Sequence, residues 1–399
     1  MSLATLLLIV VVLAAFAAGF VLARRLARPS SRATPTPIAA EDAKAALPAS
    51  VADRFVRFDP VAARGTRSTA LADHDDAWRT AMHDVGTQLR AADVSAVVFA
   101  HGSFVGTDPL SALSTIEQSL PRGRALARAL GRRTRATIDR LLGDLGNFGP
   151  TYVRLFEEAI GGSIPCTTFV WSSENHHVGR LEGALGLVRV LATHAELALP
   201  RGRLLVVGHS HAGQIFALVT QLLSRSLASE AIRDVARARS LDVSSLDVDL
   251  QAIERCGLDF VTFGAPARYA WAKAASIRSL HVVHRRASPV TPRHRLSGDD
   301  WIRRLGGAGS DFPALAAEER KLNTSLDDAL GSGFAPVEVA KALVSSADSA
   351  PHGELVLVDY GEERLASVLS TGFGHGVYTR FDAMLFHASL VATRLYPAR

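Results

Sequence analysis

A serine set at a change of periodicity is the first residue that could do chemistry. Arg203-Leu204-Leu205-Val206-Val207 is an apolar run that stops at Gly208-His209-Ser210-His211-Ala212-Gly213. After it Ile215, Leu218, Val219, Leu222 and Leu223 recur at helical spacing. A buried strand that becomes an amphipathic helix across one serine predicts a tight turn, which pushes the Oγ out of the backbone. Gly208, Ala212 and Gly213 are small, so strand and helix can meet there at a strained angle. The helix N-terminus behind Ser210 would stabilise negative charge developing beside it. That combination suits a nucleophile better than a serine that merely caps a helix.

A nucleophilic serine needs a base. Gly372-Phe373-Gly374-His375-Gly376-Val377-Tyr378 places one histidine between two glycines, after the apolar strand Leu355 to Asp359 and before a helix running to about Leu395. His387 lies inside that helix among Leu385, Phe386 and Leu390, and reads as a core or groove residue. Another short apolar strand, Ser95 to Ala100, runs into His101-Gly102-Ser103-Phe104-Val105-Gly106. There His101 reads as a structural loop residue. Glu174-Asn175-His176-His177 invites a metal reading, but adjacent side chains diverge on any regular element. A polar loop at the pocket rim is the expectation, with no metal.

In this order of parts the chain resembles the serine α/β-hydrolases, the superfamily of lipases, esterases and thioesterases, from about Ala96 to Tyr396. The resemblance does not fix a subfamily. It implies an α/β fold with a mostly parallel sheet and helices on both faces. Ser210 becomes the nucleophile on its elbow, and His375 the base. The backbone N–H groups of Ser103 and His211 form the oxyanion hole. Asp259-Phe260-Val261-Thr262-Phe263 followed by Gly264-Ala265-Pro266 is similar to the Thr-Phe-Gly-x-Pro strand end of lipase-like members.

The acid is where the pattern breaks. After the strand Leu280 to His284, lipase-like relatives often have Asp-Pro-Val, and this chain has Ser288-Pro289-Val290. The acid then comes from Asp299, Asp300 or Asp311, or is missing. Asp299 and Asp300 open a helix with Trp301 and Ile302, so capping explains one of them. Asp311, in a glycine-rich turn, is the expected acid. The activity implied is hydrolysis of an ester-type bond in a small-molecule or lipid substrate, through an acyl-enzyme and without a cofactor. A thioesterase or amidase is the alternative within the class, and a non-catalytic binding module the alternative outside it.

The elements around these residues read as one domain over 51–399, with an insertion over 286–350 placed to act as a lid. Arg54 to Phe58 is expected as an edge strand and Ala77 to Leu89 as a helix. The chain has 399 residues, of which 48% are hydrophobic, and a net charge of +5 without basic runs interleaved with aromatics, so a nucleic-acid partner is not expected. Cys166 and Cys256 form no metal or disulfide pattern and are expected as buried free thiols. Residues 3–23 carry no charge and are long enough to cross a bilayer, and Arg24, Arg25, Arg28 and Arg32 follow. An uncleaved single-pass anchor is expected, with the body on the cytoplasmic side. Residues 24–50, rich in Pro, Ser and Ala, read as a flexible tether. Removing residues 1–49 should therefore yield a soluble protein that keeps its activity. Aggregation of the truncated protein in detergent-free buffer would make the N-terminal segment part of the folded unit.

Overall fold

The structure is a computed structural model that describes residues 54–102, 106–107, 146–198, 202–285, 317–330, 353–361 and 374–397, with 300, 302–303 and scattered positions between 129 and 140. Seven strands form its centre: β1 (Phe55–Arg57), β2 (Val94–Ala100), β3 (Cys166–Phe169), β4 (Arg203–His209), β5 (Gly257–Phe263), β6 (Ile277–His284) and β7 (Glu354–Asp359). Their order across the sheet is β1-β7-β6-β5-β4-β2-β3, and every pairing is parallel. The expected α/β architecture is therefore present, with β1 at an edge as its short, half-polar sequence predicts.

The strands are continuous apolar runs because both faces are covered. Val97, Phe99, Leu205 and Val207 enter one core with α1 (Asp76–Ala91), α2 (Pro150–Ala159) and α8 (Met384–Leu395). Their neighbours Ala96, Val98, Leu204 and Val206 enter the other, with α3 (His177–Leu197), α4 (Ala212–Ser224), α5 (Leu227–Ala238) and α6 (Leu246–Glu254). Among the described residues no single helix is long and apolar enough to cross a membrane. The expected anchor and tether lie outside the described residues. Part of the expected lid is α7 (Ala317–Leu330). It is docked on the body: Asn323 accepts from the Val178 N–H at 3.0 Å, Asp327 meets His177 Nε2 at 2.5 Å, and Leu326 is buried.

Chain order makes one place in the sheet special. From β2 the chain moves outward to β3, then returns across β2 to β4, so the connections diverge between the carboxyl ends of β2 and β4. Ligands of open parallel sheets bind at such a point. Ala100 pairs with Gly208 and Gly208 with Thr262, so β2, β4 and β5 end level and deliver their loops to one spot.

The opposite end of the sheet is held by a buried carboxylate. Asp259 accepts from Arg203 at 2.6 Å, from Arg278 at 2.7 Å and from the Tyr396 hydroxyl at 2.8 Å. These donors tie β4, β5, β6 and the end of α8 together. Burial alone would raise this carboxyl; the hydrogen bonds and charges of the two arginines outweigh it and hold the group below its ordinary value. A depressed carboxyl stabilises the fold at pH values above about 3.9, its unfolded value, and stops doing so as pH falls through the folded value. Asp259→Asn should lower stability by about 3 kcal/mol at neutral pH. The gap in thermal midpoint between wild type and variant should close as the buffer is taken below about pH 4; a gap independent of pH would contradict this account.

Candidate functional site

Ser210 sits directly after β4 with φ of 55°, a left-handed conformation that costs a non-glycine residue of order 1–3 kcal/mol. Three contacts hold it there. Its N–H donates to the Phe263 carbonyl at 2.8 Å, its carbonyl accepts from the Gly213 N–H at 3.0 Å, and helix α4 begins two residues later. The small residues at the turn are required by space: a side chain on Gly208 would strike Phe216 and the Ala212 methyl, and one on Gly213 would strike Ala265. His211, the expected oxyanion donor after the nucleophile, is already helical at φ −64° and ψ −9°.

The loop after β2 closes the other side. A Cβ built on Gly102 would stand 2.7 Å from the Ser210 Cβ, so glycine is what allows the loop to lie against the serine. Ser103, the other expected oxyanion donor, lies outside the described residues. His101 fixes the loop as expected. Its Nδ1–H donates to the Gly102 carbonyl at 2.9 Å and its Nε2 accepts from the Trp171 N–H at 3.2 Å. The Trp171 indole donates back to the His101 carbonyl at 2.8 Å, and Ser173 Oγ to the Gly102 carbonyl at 2.7 Å. Burial pushes His101 down to about 3, so it is a neutral hydrogen-bonding fitting.

His375 is brought to the same place by its backbone and its ring. The Nε2–H of His209, the residue before Ser210, donates to the His375 carbonyl at 2.8 Å, and the two rings are 4.5 Å apart. His209 too is pushed down to about 3, by burial and by the neighbouring His375. His375 Nδ1 points at a carboxylate, 2.8 Å from one oxygen and 2.9 Å from the other. That carboxylate is Asp300.

The acid facing His375 is thus Asp300, where the sequence reading put Asp311, which lies outside the described residues. The capping role expected for one of the paired aspartates is also present, since Asp300 Oδ1 accepts from the Arg303 N–H at 2.9 Å. The two roles do not exclude one another, because an ionised carboxylate has four lone-pair sites. Tyr378 completes the set by donating to Oδ2 at 2.7 Å. Asp300 is 2% exposed, and burial alone would raise it. The charge of His375 and the hydrogen bonds from His375, Arg303 and Tyr378 outweigh burial and hold it below the ordinary carboxylate range.

With Nδ1–H committed to Asp300, the opposite nitrogen of His375 is the basic one. His375 Nε2 is buried and makes no hydrogen bond among the described residues. The Ser210 hydroxyl is turned toward His211, 3.4 Å from its Nδ1. The arrangement can hold an imidazole in one tautomer and remove a proton from an alcohol on a strained turn.

The remaining candidates do other work. His387 is a core residue, its Nε2 bonded to the Tyr360 hydroxyl at 2.8 Å and its ring pushed down to about 3 by burial. His176 and His177 are buried instead of lining a rim, and α7 packs against His177. His176 Nδ1 caps α3 at the Gly179 N–H, and His177 bonds Tyr269 and Asp327. Among the described residues no three potential ligands gather around a metal position. Cys256 is buried, Cys166 only half-buried, and burial raises both thiols, which leaves them poor nucleophiles. The sequence reading counted Asp300 among three candidate acids but preferred Asp311, and it missed the contact made by Tyr378, which stands three residues after His375 and carried no signal of its own. Comparisons with protein-family models, with curated proteins and with solved structures found no match.

The geometry separates the two aspartates experimentally. Asp300→Asn should slow fluorophosphonate modification of Ser210 on the order of a thousandfold or more, because an amide cannot hold the required tautomer. It should also lower the thermal midpoint through the weakened cap. Asp311→Asn should modify at close to the wild-type rate. The reverse pattern would reassign the acid.

Proposed function

We propose that this chain is a serine hydrolase of the α/β-hydrolase type that cleaves an ester-type bond through an acyl-enzyme on Ser210. The observation that carries the reading is the buried Asp300–His375 pair, joined at 2.8 Å and anchored through His209 to a serine at φ of 55°. The order Ser210, Asp300, His375 along the chain is that of the superfamily. The meeting of the Gly102 loop with Ser210 at the divergence point of the sheet supports it further.

In the proposed reaction His375 Nε2 takes the Ser210 proton as Oγ attacks the ester carbonyl carbon. The N–H groups of His211 and, by resemblance, Ser103 hold the negative oxygen of the tetrahedral intermediate. The imidazolium then gives its proton to the departing alkoxide oxygen. Water, deprotonated by the same nitrogen, attacks the acyl carbon; the bond from that carbon to Ser210 Oγ breaks, Oγ takes the proton back from the imidazolium, and the acid is released. Asp300 stays ionised throughout and keeps Nδ1 protonated. Residues 3–23 serve as a single-pass anchor that presents this body on the cytoplasmic side of a membrane, where lipid esters are among the accessible substrates.

Ser210→Ala is the decisive variant. Alanine keeps the Cβ and the strained backbone conformation and suits the crowded turn, so the thermal midpoint should stay close to that of wild type. Hydrolysis of p-nitrophenyl esters should fall on the order of a thousandfold or more, the remainder coming from binding and the oxyanion hole. A purified Ser210→Ala protein with wild-type turnover would end the hydrolase reading.

A further inference from the structure

Tyr378 stands out among the buried polar groups near the site. Its hydroxyl donates to Asp300 Oδ2 at 2.7 Å and accepts from the His284 N–H at 2.8 Å. The side chain is fully buried, and its ring packs against Tyr360 at 5.6 Å and His375 at 6.2 Å. Because the backbone of β6 supplies a donor to the phenol oxygen, the phenol's own proton has the carboxylate as its partner. Resting on the hydrolase reading of Ser210, we propose that Tyr378 is a positioning residue that sets the proton affinity of the Asp300–His375 pair.

Tyr378 acts by differential stabilisation of the two protonation states of the pair. On acidification the pair takes up one proton and becomes imidazolium facing carboxylate. In that state the carboxylate charge is offset across the Nδ1 hydrogen bond. In the unprotonated pair it is not, and the donor from Tyr378 is worth more there. The tyrosine therefore favours the unprotonated pair, the form in which His375 can accept the serine proton. Removing the hydroxyl must let the pair protonate at higher pH. This sign holds whichever of the two side chains is assigned the proton.

The surrounding groups leave this bond to act. His209, 4.5 Å from His375, is held neutral and spends Nε2–H on a backbone carbonyl. Arg303 reaches Asp300 through its N–H, while its guanidinium is turned onto the Ala265 carbonyl at 3.2 Å. The Nδ1 of His284 faces the Val358 carbonyl at 3.1 Å, and the Tyr360 hydroxyl faces His387. Arg380 is paired with Asp382 at 2.6 Å. On the serine side stands His211, 3.4 Å from Oγ.

The test measures the second-order rate of fluorophosphonate modification of Ser210 against pH, on the full chain in detergent. Tyr378→Phe should move the acid limb of the profile upward by about one pH unit. Tyr360→Phe removes a buried hydroxyl from the same aromatic cluster and should lower the thermal midpoint comparably with the limb unmoved. Replacing all five tyrosines with 3-fluorotyrosine, a stronger donor, should shift the limb downward, and this shift should vanish in the Tyr378→Phe background. That arm also decides the question should Tyr378→Phe fail to fold. A limb that stays in place in Tyr378→Phe or under fluorination, or that moves equally in Tyr360→Phe, overturns the proposal while labelling of the wild type upholds the hydrolase reading. A wild type that is unlabelled at every pH overturns both.

Discussion

The arrangement at the carboxyl end of the sheet depends on keeping one carboxylate ionised inside the protein. Taking such a group out of water is expensive unless its lone pairs are filled. Asp300 fills them with three donors from two parts of the chain: the imidazole of His375 and the phenol of Tyr378 from one segment, and the Arg303 N–H from the turn that begins at Asp300 itself. Each donor is also a positional constraint. The carboxylate fixes the ring of His375, the phenol is fixed in turn by the backbone of β6, and the Arg303 N–H fixes the entry into the following turn. The electrostatic requirement and the geometric one are met by the same bonds.

The strained serine shows the complementary economy. A left-handed conformation at Ser210 is unfavourable locally, and it is held by a hydrogen bond to β5 and by the start of α4. Both elements are parts of the two-sided core, so the cost is spread over the packing of the sheet. The level endings of β2, β4 and β5 then put Gly102, Ser210 and Gly264 at one height. Pairing register translates directly into which loops can touch.

Much of this was legible in the sequence because it rests on local periodicity. The change from strand to helix at Ser210, the glycine-flanked His375, the edge strand near Phe55 and the core position of His387 follow from patterns within about ten residues. The acid did not follow, because its role is defined by a partner 75 residues away. Locally Asp300 has the signature of a cap, and it is one; nothing in a linear pattern says that the other lone pairs of the same group are in use. His176 and His177 were misplaced to a rim for a related reason. Burial of a polar loop is decided by a helix that arrives 140 residues later, bringing Asn323 and Asp327 as partners.

The histidines crowded at the end of the sheet have a consequence for where a proton can travel. Burial holds His101, His209 and His387 neutral down to about pH 3, each with a ring nitrogen occupied by a carbonyl or a phenol. They act as uncharged girders. Of these rings and His375, only His375 hydrogen-bonds a carboxylate. On the proposed reading, a proton leaving the serine hydroxyl would meet His211, whose Nδ1 lies 3.4 Å from Oγ, and, among these four rings, one with a carboxylate behind it. The carboxylate behind His375, and not distance from other imidazoles, is what would set that ring apart as a proton acceptor.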